Sequence, residues 1–213
     1  MITVFTPTHN RCEFLQRAYA SLCRQTSQDF EWLIVDDGST DDTAIWCKHF
    51  EKCWTRGKFI TSWLTIPHGG KHIAHNNGVD LARGDWLLVL DDDDELVPGA
   101  IEKMHAQIKT ISADHVAMIG KCLSDGELHP TEECFVVRTK VLSRYKFPRL
   151  KGFVPEGVVW WRLPGKWRQT NEVWRIYHQD APHRLSNVRP SLWARLAWYR
   201  TLLTACAQYA TRG

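Results

Sequence analysis

Apolar residues gather along the first half of the chain in short runs, each closed by a polar cluster and followed by a stretch with helical spacing. Ile2 to Phe5 reads as a strand ending in the polar loop Thr6-Pro7-Thr8-His9-Asn10-Arg11, after which Phe14, Leu15, Ala18 and Leu22 mark one helix face. Phe30 to Val35 repeats the pattern, ending in Asp36-Asp37-Gly38-Ser39-Thr40-Asp41-Asp42-Thr43 before a helix marked by Ile45, Trp46 and Phe50. Ser39 and Asp41 are both placed to cap that helix, since each offers a side-chain oxygen to its unpaired amides. Phe59 to Ile66 is a third strand, Pro67-His68-Gly69-Gly70-Lys71 its loop, and Ile73 to Ala82 a third helix stopped by Gly84. Trp86 to Leu90, apolar throughout and so buried on both faces, runs directly into Asp91-Asp92-Asp93-Asp94-Glu95. Pro98-Gly99 then starts a helix carrying Ile101, Met104 and Ile108.

This alternation predicts an α/β fold with a mostly parallel sheet and helices on both faces. In such sheets ligands bind at the carboxyl ends of the strands, where every one of these polar clusters lies. Farther on, Val116 to Lys121 and Cys134 to Arg138 read as strands separated by a loop over Ser124 to Glu133. A short apolar helix ending at Leu163, a strand over Trp174 to Tyr177 and a helix from Pro190 to Thr211 follow. No linker divides the chain, so one domain is expected: residues 1–97 as the regular half, 98–190 as a smaller and less regular part, and 191–213 as a C-terminal helix.

Four adjacent aspartates repel one another, and their place at the end of a buried strand calls for a compensating cation. Hard oxygen ligands on a loop suit Mg²⁺ or Mn²⁺, most naturally one that also holds phosphate oxygens. The plainer alternative is an acidic turn that solvates a strand end and caps the next helix.

Composition narrows the classes. A net charge of +3 gives no electrostatic footprint for nucleic acid, although ten Arg and three Lys against three acids follow Leu142. The seven cysteines, Cys12, Cys23, Cys47, Cys53, Cys122, Cys134 and Cys206, form no CxxC pair and fit a reducing cytosol. Met1 leads straight into a strand, so no signal peptide is expected, and no apolar run approaches the roughly 20 residues that span a bilayer. Any membrane contact is therefore expected to be peripheral. The C-terminal helix, with Trp193 and Arg189, Arg195, Arg200 and Arg212, is suited to an anionic surface, to the domain itself or to a second subunit. Eleven tryptophans fit a core, an interface or the handling of sugar rings.

Four segments in order carry a family resemblance: Thr6 to Arg11, Val35 to Thr43, Ala74-His75-Asn76-Asn77-Gly78-Val79 through Ala82-Arg83-Gly84-Asp85, and Leu90 to Leu96. Together they resemble the family 2 glycosyltransferases of GT-A fold, over the first half of the chain. The resemblance implies that Thr6, Pro7 and Arg11 border a nucleotide, that Asp37 accepts a hydrogen bond from the base, and that Lys71 supplies a cation beside it. Asp91-Asp92-Asp93 matches the family's D-x-D, with Asp91 and Asp92 on the nucleotide side, Asp93 on the metal and Asp94 ordering the loop; four adjacent aspartates leave the register open by one. His75 stands where the family often has arginine. His68, His72 and His75 read as loop or helix-surface residues, and Asn76 as a hydrogen bonder between loops.

Phe153-Val154-Pro155-Glu156 is similar to a segment ending in an acid before a short helix, which makes Glu156 the expected catalytic base, with Asp125, Glu132 and Glu133 as alternatives. Many relatives carry an acidic pair there, whereas Gly157 follows in this chain. Trp160, Trp161, Arg162, Lys166 and Arg168 are candidate acceptor contacts, and His178 or His183 a candidate added metal ligand.

The reading is an inverting, metal-dependent transfer of a sugar from a nucleotide donor, expected to be a UDP-sugar, to a saccharide or lipid-linked saccharide. A sugar-phosphate nucleotidyltransferase would begin with a glycine-rich phosphate loop, and Thr6 to Arg11 has no glycine. A catalytically degenerate, donor-binding partner subunit is the alternative from another class.

Overall fold

The computed structural model describes residues 1–54, 59–148, 159 and 163–178. In chain order the elements are β1 (Ile2–Thr8), α1 (Cys12–Cys23), β2 (Phe30–Asp36), α2 (Thr43–Trp54), β3 (Ile60–Thr65), α3 (Lys71–Leu81) and β4 (Trp86–Val89). They continue as β5 (Glu95–Leu96), α4 (Ala100–Ile108), β6 (His115–Ser124), β7 (Glu127–Arg138), α5 (Thr139–Leu142) and β8 (Lys166–Ile176). All lie in one compact unit, Met1–His178.

One sheet runs β3-β2-β1-β4-β7-β6-β8-β5. Strands β1 to β4 are parallel to one another, as the alternation predicts; β7 runs antiparallel to β4 and β6, and β8 returns parallel to β6. Side-chain alternation divides the core into two layers. Ile2, Val4, Phe30, Trp32, Ile34, Trp86 and Leu88 pack with Leu15, Ala18 and Leu22 of α1, Cys47 of α2 and Ile101 and Met104 of α4. Phe5, Leu33, Val35, Leu87 and Val89 pack on the other face with Ala74 and Val79 of α3 and Leu142 of α5. Helix α3 sits so close to β1 that a Cβ on Gly78 would meet the Phe5 ring at 2.3 Å.

Two expectations for the second half need correction. The segment from Ser124 to Glu133 is not a loop: β6 and β7 form a hairpin, with Ser124 opposite Glu127 across Asp125 (φ 53°) and Gly126 (φ 82°). Two consecutive positive φ values are what the favoured two-residue hairpin turn requires, and Asp-Gly supplies them. Pro130 argues for a loop in sequence, but among the described residues β7 pairs with β4 only over Val136–Arg138, and strand positions with a single neighbour tolerate a missing amide. The strand expected over Trp174 to Tyr177 starts earlier, at Lys166, and the two-residue β5 beside it had no sequence signal.

Because β8 runs parallel to β4, its end at Ile176 lies on the same side of the sheet as the acid run, and its start on the opposite side. Lys166, paired with Asp114 at 2.6 Å, and Arg168, donating to Thr110 Oγ1 at 3.2 Å, are therefore remote from that end. Among the described residues no helix is long and apolar enough to cross a membrane.

Candidate active site

The loops after β1, β2, β3 and β4 are held to one another by the polar residues that the strand ends release. Asn10, in the left-handed region at φ 54°, turns its Oδ1 toward the β2 loop, where it accepts from Thr40 N (2.7 Å) and Asp41 N (3.3 Å). Of the two candidate caps, Asp41 takes the Thr43 amide at 3.0 Å, whereas Ser39 donates its hydroxyl to Asp36. Asp36 is fully buried and also accepts from Ser39 N and Thr65 Oγ1, so it braces the loop from within.

Asp37 is the carboxylate that this bracing presents. It is 4% exposed and accepts from Gly69 N at 2.9 Å and Gly70 N at 2.8 Å, one on each oxygen. The next residue, Lys71, opens α3 and donates to Asp91 Oδ1 at 2.9 Å, so three consecutive residues join the β2 loop to the acid run.

Within that run the sequence called for a cation, and the chain supplies its own. Arg11 pairs with Asp92 Oδ1 at 3.0 Å and Asp93 Oδ2 at 2.6 Å. Arg17 donates to the Asp93 carbonyl, and both guanidinium groups lie over the Phe14 ring, at 4.8 and 5.4 Å. Asp94, fully buried, faces Arg175 NH1 at 3.4 Å and accepts from His178 N at 3.3 Å. Glu95 pairs with Arg24 at 2.6 Å and lies 2.9 Å from His178 Nε2. Burial works against the charge on Arg175, yet the Asp94 carboxylate holds its guanidinium above the ordinary value.

The donor set also fits a hard divalent ion. Oxygens of Asp91, Asp93 and Asp94 lie within 4.8 Å of one another, a carboxylate cluster of the kind Mg²⁺ and Mn²⁺ accept. Asp92 serves differently, accepting from Thr8 Oγ1 at 2.8 Å as well as from Arg11.

Burial pushes the Asp92 carboxyl up to about 7, opposed by Arg11 and Thr8 and reinforced by Asp93 and Asp91. That exceeds the ordinary carboxylate value of about 4, so between the two the folded chain binds more protons than the unfolded one. The stability contributed by this group is present below about pH 4 and is lost as pH rises through about 7. Asp92→Asn, neutral throughout, is expected to flatten this part of the profile in EDTA, as read by denaturant unfolding at about pH 5 and about pH 8. A slope equal to the wild type's would place the titrating group elsewhere.

The structure thus brings Arg11, Lys71, Asp91, Asp92 and Asp93 into one contact network, with Asp37 linked through Gly69 and Gly70. Thr6 and Pro7 are buried in β1, and Thr6 Oγ1 accepts from the Trp32 indole at 3.0 Å. Glu156, Trp160, Trp161, Arg162, His183 and the C-terminal helix lie outside the described residues. Asn76 bridges to Phe147 in both directions, at 3.1 and 2.8 Å. His75 is not a surface residue: it is 1% exposed, packed against Phe5 and Phe147, with Nδ1 2.8 Å from the Lys71 carbonyl. Val79, four residues on in α3, is buried on the same face.

Thr8, Arg17 and Arg175 join the network without having been singled out from sequence. Arg11, Phe14 and Arg17 stand at the three-residue spacing of one helix face, a readable signal. Arg175, between Trp174 and Ile176 at the apolar end of β8, is a charge among apolar residues, which requires a buried partner.

Comparisons with known proteins bear on the fold and on the family. Over 134 residues the chain is 32% identical to the GalNAc(5)-diNAcBac-PP-undecaprenol beta-1,3-glucosyltransferase of Campylobacter jejuni, covering 62% of this chain and 41% of that protein. The chain thus matches less than half the length of this curated relative. The fold matches S. aureus TarS 1–349, crystallised with UDP-GlcNAc, at a TM-score of 0.75, with 18% identity and coverage of 88% of this chain and 61% of that one. It also matches the mannosyltransferase PcManGT from Pyrobaculum calidifontis, in complex with GDP-Man and Mn²⁺, at a TM-score of 0.64, with 18% identity and coverage of 86% and 57%. The sequence model of glycosyl transferase family 2 matches residues 3–157, well over half of the chain, and on that match the chain belongs to glycosyl transferase family 2.

Proposed function

We propose that this chain transfers a sugar, with inversion, from a nucleotide-sugar donor to a saccharide or lipid-linked saccharide, using Mg²⁺ or Mn²⁺. The observation that carries the reading is the convergence of Arg11, Lys71 and the acid run at the carboxyl ends of β1 and β4, beside Asp37 at the end of β2. Asp37 accepts a hydrogen bond from the base; its oxygens keep lone pairs beyond those given to Gly69 and Gly70. Arg11 and Lys71 lie on the phosphate side, Asp91 and Asp92 on the nucleotide side, and Thr6 and Pro7 set the path of the chain that borders it. Asp93 holds the metal with Asp91 and Asp94, and a bound ion would offset the charge that develops as the nucleoside diphosphate leaves.

A UDP-sugar is the proposed donor, supported by the fold shared with TarS, and a lipid-linked acceptor is supported by the name of the Campylobacter jejuni relative. Residues 1–97 form the donor half in this reading, 98–190 the acceptor side and 191–213 a helix available for peripheral membrane or subunit contact.

Glu156 takes the proton from the acceptor hydroxyl. Glu156→Gln is therefore expected to leave UDP binding intact while slowing transfer by at least about 10²-fold, the lower end of what a positioned base contributes. Transfer near the wild-type rate would assign the base to another acid, Asp125, Glu132 or Glu133.

A further inference from the structure

The acid run leaves a second group of metal-type side chains unexplained. His9, Asp37 and His68 leave the carboxyl ends of β1, β2 and β3, three neighbouring parallel strands, and one ligand-type atom from each lies within 4.8 Å of the others. The two imidazole rings stack with centroids 4.2 Å apart and planes 22° apart, so both face the same corner of the sheet. We propose that His9, Asp37 and His68 form a binding site for a borderline divalent transition ion of the Co²⁺, Ni²⁺ or Zn²⁺ type, separate from the acid run.

Ligand chemistry gives the class of ion. Two imidazoles and one carboxylate favour first-row transition ions, whereas Mg²⁺ favours oxygen alone. Geometry supports the same class: His68 Nδ1 lies 3.0 Å from Asp37 Oδ2, close to the separation of two ligands at right angles on bonds of about 2.1 Å. An ion there would take the place of the proton that the two atoms share. His68 Nδ1 also lies 3.0 Å from the Asp37 carbonyl, a contact that an ion at Nδ1 would displace together with the proton.

The carboxylate is already oriented for the purpose. The amides of Gly69 and Gly70 take one lone pair of each Asp37 oxygen, the kind of outer contact that steers a ligand, and the others are open to a cation when no nucleotide base takes them. On His9, Nε2 lies 3.2 Å from Asn10 Nδ2, while Nδ1 is buried with no hydrogen-bond partner among the described residues, so the ring's polar capacity is incompletely used. The His68 side chain is 61% exposed and provides the route of entry.

The test is a titration of the purified full chain with Co²⁺ over excess Mg²⁺, which occupies the acid run, followed by visible absorption, for the wild type and for His9→Ala, His68→Ala and, as a control, His105→Ala, whose ring lies beside Asp29 at the opposite end of β2. The expected result is uptake with a spectrum of nitrogen and oxygen ligation and no sulfur-to-cobalt charge transfer. His9→Ala and His68→Ala should each weaken that uptake at least about tenfold, and His105→Ala should leave it unchanged. The exposed His68 makes its alanine variant safe for folding, which circular dichroism checks. Thiolate ligation, no uptake, wild-type uptake by His9→Ala or His68→Ala, or loss in His105→Ala would each overturn the site. No nucleotide is present, so the result stands whether or not the donor reading holds.

Discussion

Asp93→Ala is expected to abolish metal-dependent nucleotide binding and to slow sugar transfer by about 10²-fold or more, the scale on which removal of one charge-stabilising group acts. The residue is 1% exposed, and its carboxylate oxygen lies both against Arg11, at 2.6 Å, and in the cluster with Asp91 and Asp94. Its loss removes one of three ligands from the proposed ion and leaves Arg11 with Asp92 alone. Asp93→Asn keeps the volume and separates charge from packing: it should behave like the alanine variant in binding while unfolding close to the wild-type midpoint. Nucleotide affinity that stays metal-dependent and unchanged in Asp93→Ala would remove Asp93 from the metal site and shift the register of the acid run.

The largest effect on stability is expected from Arg175→Met. Arg175 is 8% exposed, between β6 and β5, with its guanidinium against the fully buried Asp94 and its Nε 3.3 Å from Cys122 Sγ. Methionine fills a similar apolar volume but strips Asp94 of its guanidinium. Removing one partner of a buried pair leaves a charge uncompensated in a medium that cannot solvate it, at a cost of about 3–5 kcal/mol. Asp94→Asn added to Arg175→Met removes the stranded charge as well, so the double variant should recover most of the loss in guanidinium unfolding. A single variant within about 1 kcal/mol of wild type would mean that the pair contributes packing alone.

The first four strands were readable because burial on both faces, or a clear polar stop, writes itself into local sequence. Trp86 to Leu90 tolerates no polar residue, and Gly84 and Asp91 mark its limits. The β6–β7 hairpin was less readable: Glu127 to Glu133 lacks apolar alternation, and Asp125-Gly126 is the one local clue to its turn. The site divides in the same way. The acid run announces its chemistry locally, whereas Asp37 and Lys71 were singled out by the family resemblance.

Which cation meets which aspartate is a property of the sheet order. Arg11 reaches Asp93 because β1 lies beside β4, and Arg175 reaches Asp94 because β8 pairs with β5. The need for a counter-charge was legible, whereas its source was not: three cations of the chain lie against the aspartates where a metal alone was expected. His75 shows the converse, since a residue type that suggests chemistry is here packed between two phenylalanine rings.

In the proposed function the acid run, Arg11 and Asp37 together hold a nucleoside diphosphate through a divalent ion. Calorimetric titration of the full chain with UDP, in Mn²⁺ and again in EDTA, tests it most directly. UDP binding is expected in Mn²⁺, lost in EDTA and absent from Asp93→Ala. UDP binding of equal strength in EDTA, or none in Mn²⁺ from a chain shown to be folded, would contradict it.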